Sequence, residues 1–307
     1  MATESTQVGF ADRESRDDEM HRTIDQWLDE LTALVEEARA SEEFQAWLDV
    51  QSRFHDYSYR NTLLINHQYP EATKVAGYRT WQQEFDRHVR EGESAIWIWA
   101  PIIAKRCPDC ENAESYHERI GCEYDETPPK EWSKGLVGFR PAPVFDVSQT
   151  EGEPLPELDT MAAGQADELV TALLEAAAPL GIDARVIPTE EWAHPSAAGL
   201  CKPQPDVGRP RVEAKARERD AALAGVLIHE YAHALLHVGV PDETERTKRE
   251  VEAEAVAYVV GRHFGLDTAN SAIYLAAWQG DEREVLQERL GRISRTASEV
   301  IEAVDGD

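Results

Sequence analysis

The segment GVLIHEYAHALLH, residues 225–237, contains histidines and a glutamate within an otherwise apolar run. His229 and His233 are four residues apart, so on a helix they share one face and can direct two imidazoles at one ion. Glu230 can reach a water held on that ion and act as its general base. This H-E-x-x-H pattern predicts a zinc site; the alternative is a pair of core histidines bonded to carbonyls. His237 is expected to be supporting or structural, because three histidines of one straight helix cannot all reach one tetrahedral ion.

A zinc site of this type needs a third protein ligand, and the following segment KREVEAEAVAYVV supplies carboxylates. Glu250 and Glu254 are four residues apart and share a helix face, whereas Glu252 points elsewhere. We expect Glu250 to bind the metal and Glu254 to orient a ligating histidine, with the reverse assignment open. A solvated acidic face is the alternative, but the alternation with Ala and Val indicates that part of this helix is buried.

A second group of metal-seeking side chains reads C-x2-C-x6-H-x4-C. Its members are Cys107, Cys110, His117 and Cys122. Four such ligands can close around one zinc with no open position, which predicts a structural site that holds a polar insert at residues 107–132. The spacing resembles a zinc knuckle with two extra residues before the histidine. The alternatives are incidental thiols, or a site in which Cys201 would replace His117 if the two domains touch.

Hydrophobic periodicity predicts the elements that position these residues. Helices are expected from residue 20, through residues 44–48, and at residues 160–178, 220–238, 247–264 and 282–304. Apolar, aromatic segments at residues 94–106 and 136–150 predict strands, as does ARVIP at residues 184–188, and residues 197–216 predict a hairpin. The expected fold class is α+β, with two domains, of which the second is mostly helical with a small sheet.

The length of 307 residues favours two domains. We expect a disordered acidic lead at residues 1–19, a first domain at residues 20–147 and a linker rich in Gly, Pro and acid at residues 148–159. The second domain then covers residues 160–307. The N-terminus has no pattern of a secretory signal, and no apolar run reaches the roughly 18 residues of a membrane span, so a cytoplasmic location is expected.

The charge balance is extreme, with 59 acidic against 31 basic residues and a net charge of −28. This balance favours a salt-adapted, halophilic surface of the haloarchaeal type, because high ionic strength screens the repulsion between carboxylates. The alternative is an ordinary acidic protein. The overall negative charge of the chain repels DNA, so any nucleic-acid site must lie on a part of the surface that is less acidic.

The segments HEYAHALLH and REVEAEAVAYVV resemble the zincin domains of the ImmA/IrrE metallopeptidase group and the C-terminal domain of ArdC-type antirestriction proteins. Residues 54–101, together with VFDVSQTEG at residues 144–152, resemble the N-terminal single-stranded DNA-binding domain of ArdC-like proteins. The resemblance implies a DNA-binding module joined to a zinc-metallopeptidase-like module. By position it assigns His229 and His233 as metal ligands and Glu230 as the catalytic residue.

Residues 53–106 partly support DNA binding, because this segment contains eight Lys or Arg residues and six Asp or Glu residues, which gives a net charge of +2. Arginines could contact phosphates, and aromatic rings could stack on unpaired bases. The candidate residues are Arg60, Arg79, Arg87, Arg90, Tyr57, Tyr59, Tyr78 and Trp81. The alternative is that the aromatic residues belong to the core and the arginines to an ordinary surface.

The residue patterns and the family resemblance together imply two functions. The first is a zinc-dependent hydrolase, a peptidase acting on a peptide or protein substrate. The second is a single-stranded DNA-binding antirestriction or DNA-protection protein in which the zincin domain is a scaffold or regulator. A metal-dependent nuclease is a weaker hypothesis, because phosphodiester chemistry usually draws on carboxylate-rich Mg²⁺ or two-metal sites.

Overall fold

The structure is a computed structural model. It describes residues 10, 15–33, 38–153, 166–204, 206, 208–217, 219–239, 245–268, 278 and 281–306. The fold is mixed α+β, which confirms the predicted class. Contacts divide the chain into an N-terminal unit, residues 1–22 with 67–153, and a C-terminal unit, residues 23–66 with 154–307. Within the described ranges, no helix combines the length and apolarity needed to cross a bilayer.

The N-terminal unit is built on an antiparallel sheet with strand order β1-β4-β3. These strands are β1, Val75–Gly77, β3, Ile96–Lys105, and β4, Lys134–Asp146. Two short strands, β2, Arg87–Val89, and β5, Thr150–Gly152, form a separate antiparallel pair. The short helices of the unit are α4, Tyr78–Gln83, and α5, Glu114–Arg119. Strand β3 is largely buried near Ile96, and β4 is largely buried near Asp146; we call these the inner ends. The opposite, outer ends, at Lys105 and Lys134, are exposed.

The C-terminal unit combines helices with a three-stranded sheet. Its helices are α2, Ala38–Arg53, α6, Ala166–Ala176, α7, Asp220–Leu236, α8, Arg246–His263, and α9, Arg283–Asp305. The strands are β6, Asp183–Ile187, β7, Gly199–Lys202, and β8, Arg211–Lys215, in the order β6-β8-β7. Strand β8 pairs parallel with β6 and antiparallel with β7. Helices α1, Arg16–Ala33, and α3, Tyr59–Gln68, each contribute residues to both units.

Helix α7 is buried on the side that packs against α6. Ala and Leu, the residues with the best helix propensity, fill most of its length. Leu227, Ile228 and Tyr231 are fully buried, and the hydroxyl of Tyr231 donates to the carbonyl of Leu173 at 2.7 Å. This buried hydrogen bond fixes the rotation of α7, and therefore the direction in which its histidines point.

Three sequence predictions on organisation differ from the structure. Part of the predicted lead is helical, because α1 already begins at Arg16, where three acidic residues occupy the favourable first turn. Residues 148–152 of the predicted linker belong to a 3₁₀ turn, Val147–Gln149, and to β5, because the carboxylate of Asp146 caps that turn. Residues 23–66 group with the C-terminal unit, although the predicted first domain covered residues 20–147. The other residues of the lead and linker lie largely outside the described ranges.

Candidate metal centres and nucleic-acid contacts

Two histidines of α7 and a glutamate of α8 converge in the C-terminal unit. The Nε2 atoms of His229 and His233 lie 3.0 Å apart. Oε2 of Glu250 lies 3.5 Å from each of these nitrogens. The structure therefore brings together the three residues that were predicted as ligands.

The donor set fits a tetrahedral zinc ion. Ligand atoms bonded to zinc at about 2.0–2.1 Å and at tetrahedral angles lie roughly 3.3 Å apart. The separations of 3.0 to 3.5 Å between the donor atoms are close to this value. Two imidazoles and one carboxylate also match a common catalytic zinc set, which leaves a fourth position for water. Metal binding itself stays a prediction.

Glu254 faces the other ring nitrogen of His229, with Oε2 lying 3.4 Å from Nδ1. Burial lowers the pKa of His229, but hydrogen bonds to Glu250 and Glu254 and the charge of Glu230 outweigh burial and raise it to about 9. The hydrogen bond from His229 is the largest effect on Glu250, and together with the neighbouring His233 it lowers the pKa of that carboxyl group. A metal entering the site must therefore displace a proton from His229, so its apparent affinity falls as the pH drops below about 9.

His237 lies between the candidate metal ligand His233 and the buried Glu252. Its Nδ1 lies 3.0 Å from Nδ1 of His233, and its Nε2 lies 2.9 Å from Oε2 of Glu252. Burial lowers the pKa of His237, which favours the neutral ring. A neutral His237 that donates to the carboxylate from Nε2 accepts at Nδ1 from His233, an assignment that follows from the hydrogen-bond partners. This leaves Nε2 of His233 without a proton and available to a metal.

Glu252 is fully buried and is held by cations of α9. Its Oε1 accepts from Arg289 at 2.7 Å and also from Arg292. Arg289, itself 3% exposed, donates to Asp281 at 2.9 Å. Asp281 in turn pairs with Lys248. Each buried charge therefore has at least one opposite charge beside it, as burial of ions requires.

Glu230 lines a cleft of about 1330 Å³ that also contains the metal-seeking histidines. Burial raises the pKa of Glu230, against the charges of His229 and His233, which lower it. Strand β7, at the edge of its sheet, passes close to this carboxylate. A Cβ at Gly199 would lie 2.7 Å from Cγ of Glu230 and 2.7 Å from Cγ1 of Val226, so only glycine fits there.

The four predicted ligands of the insert lie together in the N-terminal unit, with their ligand atoms within 4.8 Å of one another. Sγ of Cys110 is 3.6 Å from Nδ1 of His117. Sulfur and nitrogen bound to one tetrahedral zinc lie roughly 3.6 Å apart, so this distance fits the ion. Cys107 is buried and accepts from the backbone N–H of Asp109, a contact that orients the sulfur.

The thiols differ in how readily they ionise. Burial raises the pKa of Cys110, but hydrogen bonds from Asn112 and His117 outweigh this effect and lower it to about 6. Cys110 is therefore ready to bind a metal as thiolate. Cys201 lies in β7, where burial raises its pKa to about 12. Among the described residues, Cys201 belongs to neither ligand group, and His117 completes the set of the insert.

We expect the purified chain to bind one zinc at each of its two ligand groups. Replacing Cys107 by Ser removes one ligand of the closed group and should reduce the content from about two zinc ions to about one per chain. Elemental analysis after extensive dialysis measures this content. Cys201→Ser is the matched control and should leave the content unchanged. A full zinc content in the Cys107 variant would contradict the site in the insert.

The residues predicted to contact DNA are divided between the two units. Tyr57, Tyr59 and Arg60 belong to the C-terminal unit, and Tyr78, Arg79, Trp81, Arg87 and Arg90 belong to the N-terminal unit. The prediction for Trp81 is wrong, because this side chain is fully buried and its indole donates to the carbonyl of Phe145 at 2.9 Å. A base cannot stack on a ring that solvent does not reach.

The other candidates differ in their surroundings. Arg87 donates to Thr150 and to backbone carbonyls near β5, and Arg90 pairs with Glu93 at 2.6 Å. Arg60 lies over the ring of Tyr59, at 5.8 Å from its centre. Tyr57 is partly buried at the start of this segment. Tyr78 and Arg79 of α4 are exposed and can be reached from solvent.

Comparisons with known proteins give one relative by sequence. The chain is 26% identical over 296 residues to an uncharacterized protein of Bacillus anthracis, and the match covers 90% of this chain. The chain spans about half the length of this curated relative, with 50% of the relative covered.

Two solved structures of the antirestriction protein ArdC from plasmid R388 are similar to the structure of this chain. Its metal-free structure matches with a TM-score of 0.43 and 17% identity, over 80% of this chain and 85% of that chain. Its Mn(II)-bound structure matches with a TM-score of 0.39 and 16% identity, over 84% of this chain and 97% of that chain. Among protein families, residues 16–133 match the model of the N-terminal domain of anti-restriction factor ArdC.

Proposed function

We propose that this chain is a single-stranded DNA-binding antirestriction protein whose C-terminal unit carries a metal centre with a structural or regulatory role. The match of residues 16–133 to the N-terminal domain of ArdC carries this proposal. The net charge of +2 over residues 53–106, in a chain of net charge −28, supports it, because acidic residues are less frequent there than in the chain as a whole.

Fluorescence anisotropy with labelled oligothymidylate tests this function. We expect binding that exceeds binding to a duplex of equal length, because only unpaired bases can stack on aromatic side chains. The logarithm of the affinity should fall linearly with the logarithm of the salt concentration, by about 0.7 for each phosphate contacted. Equal or absent binding to both DNA forms at every salt concentration would refute the proposal.

A second candidate function, hydrolysis of a peptide bond, is favoured by the arrangement around Glu230. Its carboxylate lies in the same cleft as His229, His233 and Glu250, which are the residues that would hold zinc. A zinc ion held there would supply a polarising charge and lower the pKa of water. The edge strand β7 borders the cleft, and an extended peptide can pair with such an edge through backbone hydrogen bonds.

In this second function, Glu230, His237 and Glu252 have different roles. Glu230 takes the proton of the attacking water and transfers it to the leaving amine. Burial raises the pKa of Glu230 in the direction of neutral pH, which suits a group that must both accept and release a proton. His237 and Glu252 keep His233 in one tautomer and orientation.

A further inference from the structure

The hairpin formed by β3 and β4 differs in charge from the rest of the chain. Residues 94–106 and 133–145 contain neither Asp nor Glu, although about one residue in five of the whole chain is acidic. Four cations lie in the same segments, and two of them, Lys105 and Lys134, lie at the outer end of the hairpin. This hairpin is therefore a locally basic feature on a strongly acidic protein.

One face of the outer hairpin, which we call the arm face, is both apolar and basic. The cross-strand pairs on this face are Pro101 with Phe139, Ile103 with Leu136, and Lys105 with Lys134. Alternation along β3 places its three members on the same side, and a bulge in β4 keeps their partners on that side. The order along the hairpin is an aromatic ring, aliphatic side chains and then cations.

The apolar residues of the arm face are exposed to an unusual degree. Phe139 is 60% exposed, Ile103 is 58% exposed and Leu136 is 45% exposed. Exposed large apolar side chains that lie together indicate a binding surface, because leaving them in water costs free energy. The arm face therefore has the character of a contact surface.

The cations of the arm face point to an anionic ligand. Lys105 and Lys134 are directly opposite each other, and like charges in this position repel. Apart from the buried Asp146 at the far end of β4, the strands that carry them contain no carboxylate to offset the repulsion. A ligand with flat apolar groups and a chain of negative charges would satisfy both the apolar and the basic part of the face. Single-stranded nucleic acid has this combination.

We propose that single-stranded DNA binds along the arm face, with a base stacked on Phe139 and phosphates at Lys105 and Lys134. This inference rests on the proposed DNA-binding function and gives that function a surface. The Cys-rich ligand group follows directly after β3, and the backbone N–H of Arg106 donates to the carbonyl of Ser133 across the hairpin. Two paired strands alone are only marginally stable. A metal held by that ligand group would therefore stabilise the outer end of the β3–β4 hairpin.

Anisotropy titration of the full chain with labelled oligothymidylate, repeated over a series of salt concentrations, tests the arm face. We expect Phe139→Ala to weaken binding about tenfold through the lost stacking. Changing both Lys105 and Lys134 to Gln should lower the slope of log affinity against log salt by about 1.4, which corresponds to two lost phosphate contacts. Changing Tyr78 to Ala and Arg79 to Gln on α4 tests the competing surface, and this variant should retain more of the affinity than Phe139→Ala does. Tyr116→Ala on α5 removes an exposed aromatic ring outside both surfaces, so it is the matched control and should bind as the wild type does.

The outcomes separate this inference from the function on which it rests. Wild-type affinity and salt slope in both arm variants would overturn the inference and leave DNA binding in place. Loss of binding only in the Tyr78 and Arg79 variant would likewise overturn it and transfer the contact to α4. If Phe139→Ala left DNA binding unchanged but abolished self-association in sedimentation, the face would be a protein interface and the inference would be wrong. A wild-type chain that binds no DNA refutes the proposed function as well.

Discussion

Glu230→Gln is expected to abolish peptide hydrolysis by the zinc-loaded chain while leaving its metal content unchanged. The amide has nearly the same shape as the carboxylate but cannot accept a proton, and general-base catalysis contributes about 10²- to 10⁴-fold to a rate. Glu230 is not a member of the ligand group, so metal binding should survive. Turnover of a quenched fluorescent peptide mixture, with parallel elemental analysis, measures both quantities.

The pH profile of the wild-type chain provides a second measurement. Glu230 acts as a base only when it is deprotonated, and burial raises its pKa. Activity should therefore be lost as the pH falls through the pKa that Glu230 has in the zinc-loaded chain, where the charge of the ion opposes the effect of burial.

The control for the Glu230 variant is Glu213→Gln in β8, the same chemical change elsewhere in the C-terminal unit. Its turnover should equal that of the wild type. Unchanged turnover in the Glu230 variant would exclude the assigned mechanism. A zinc-loaded wild-type chain without turnover would exclude the hydrolase candidate, and the proposal of DNA binding would stand by itself.

Local composition was sufficient to predict the helices that carry the candidate metal ligands. The sequence predicted helices at residues 220–238 and 247–264, and the structure has α7 at Asp220–Leu236 and α8 at Arg246–His263. These segments are long, contain no internal Pro and are rich in residues of high helix propensity such as Ala, Leu and Glu. The i and i+4 spacing of the histidines and of Glu250 and Glu254 then determined which side chains share a face.

Burial of individual residues was harder to predict, because it depends on the partner element rather than on the segment itself. Trp81 lies in a polar, Arg-containing segment that suggested an exposed stacking surface, yet β4 covers its ring. Glu252 was expected only to point away from the metal, and its cation partners lie about forty residues later, on α9. Its neighbours Val251 and Ala253 were the local signal that this glutamate is buried.

The grouping of elements into units also could not be read from local patterns. Residues 23–66 lie in the predicted first domain and include the candidate DNA contacts Tyr57, Tyr59 and Arg60, but they group with residues 154–307. Buried Tyr258 of α8 donates to Asp49 of α2 at 2.8 Å, a contact between residues 209 positions apart. Such long-range packing has no periodic signature in either segment, so a linear boundary missed it.

Glu252→Gln is expected to lower the free energy of unfolding by about 3–5 kcal/mol, because removing one partner of a buried ion pair leaves the other uncompensated. Burial opposes ionisation of Glu252, but hydrogen bonds from His237 and Arg289 and the charge of Arg292 outweigh it and lower the pKa. The ionised carboxylate therefore stabilises the fold at neutral pH, and this stability is lost as the pH falls through the lowered pKa. Urea unfolding at neutral and acidic pH should show a smaller acid-induced loss in the variant.

The same substitution should weaken zinc binding about 10- to 100-fold, because Glu252 orients His237 and His237 orients the ligand His233. Competition with a chromophoric chelator measures this affinity. Glu213→Gln removes a partly exposed ion pair with Lys202 and should cost only about 0–1 kcal/mol, with no change in affinity. His237→Ala keeps the arginine pairs of Glu252, so it should weaken zinc binding with a smaller loss of stability. If Glu252→Gln were no more destabilising than Glu213→Gln, the buried charge would not be what holds α8 against α9.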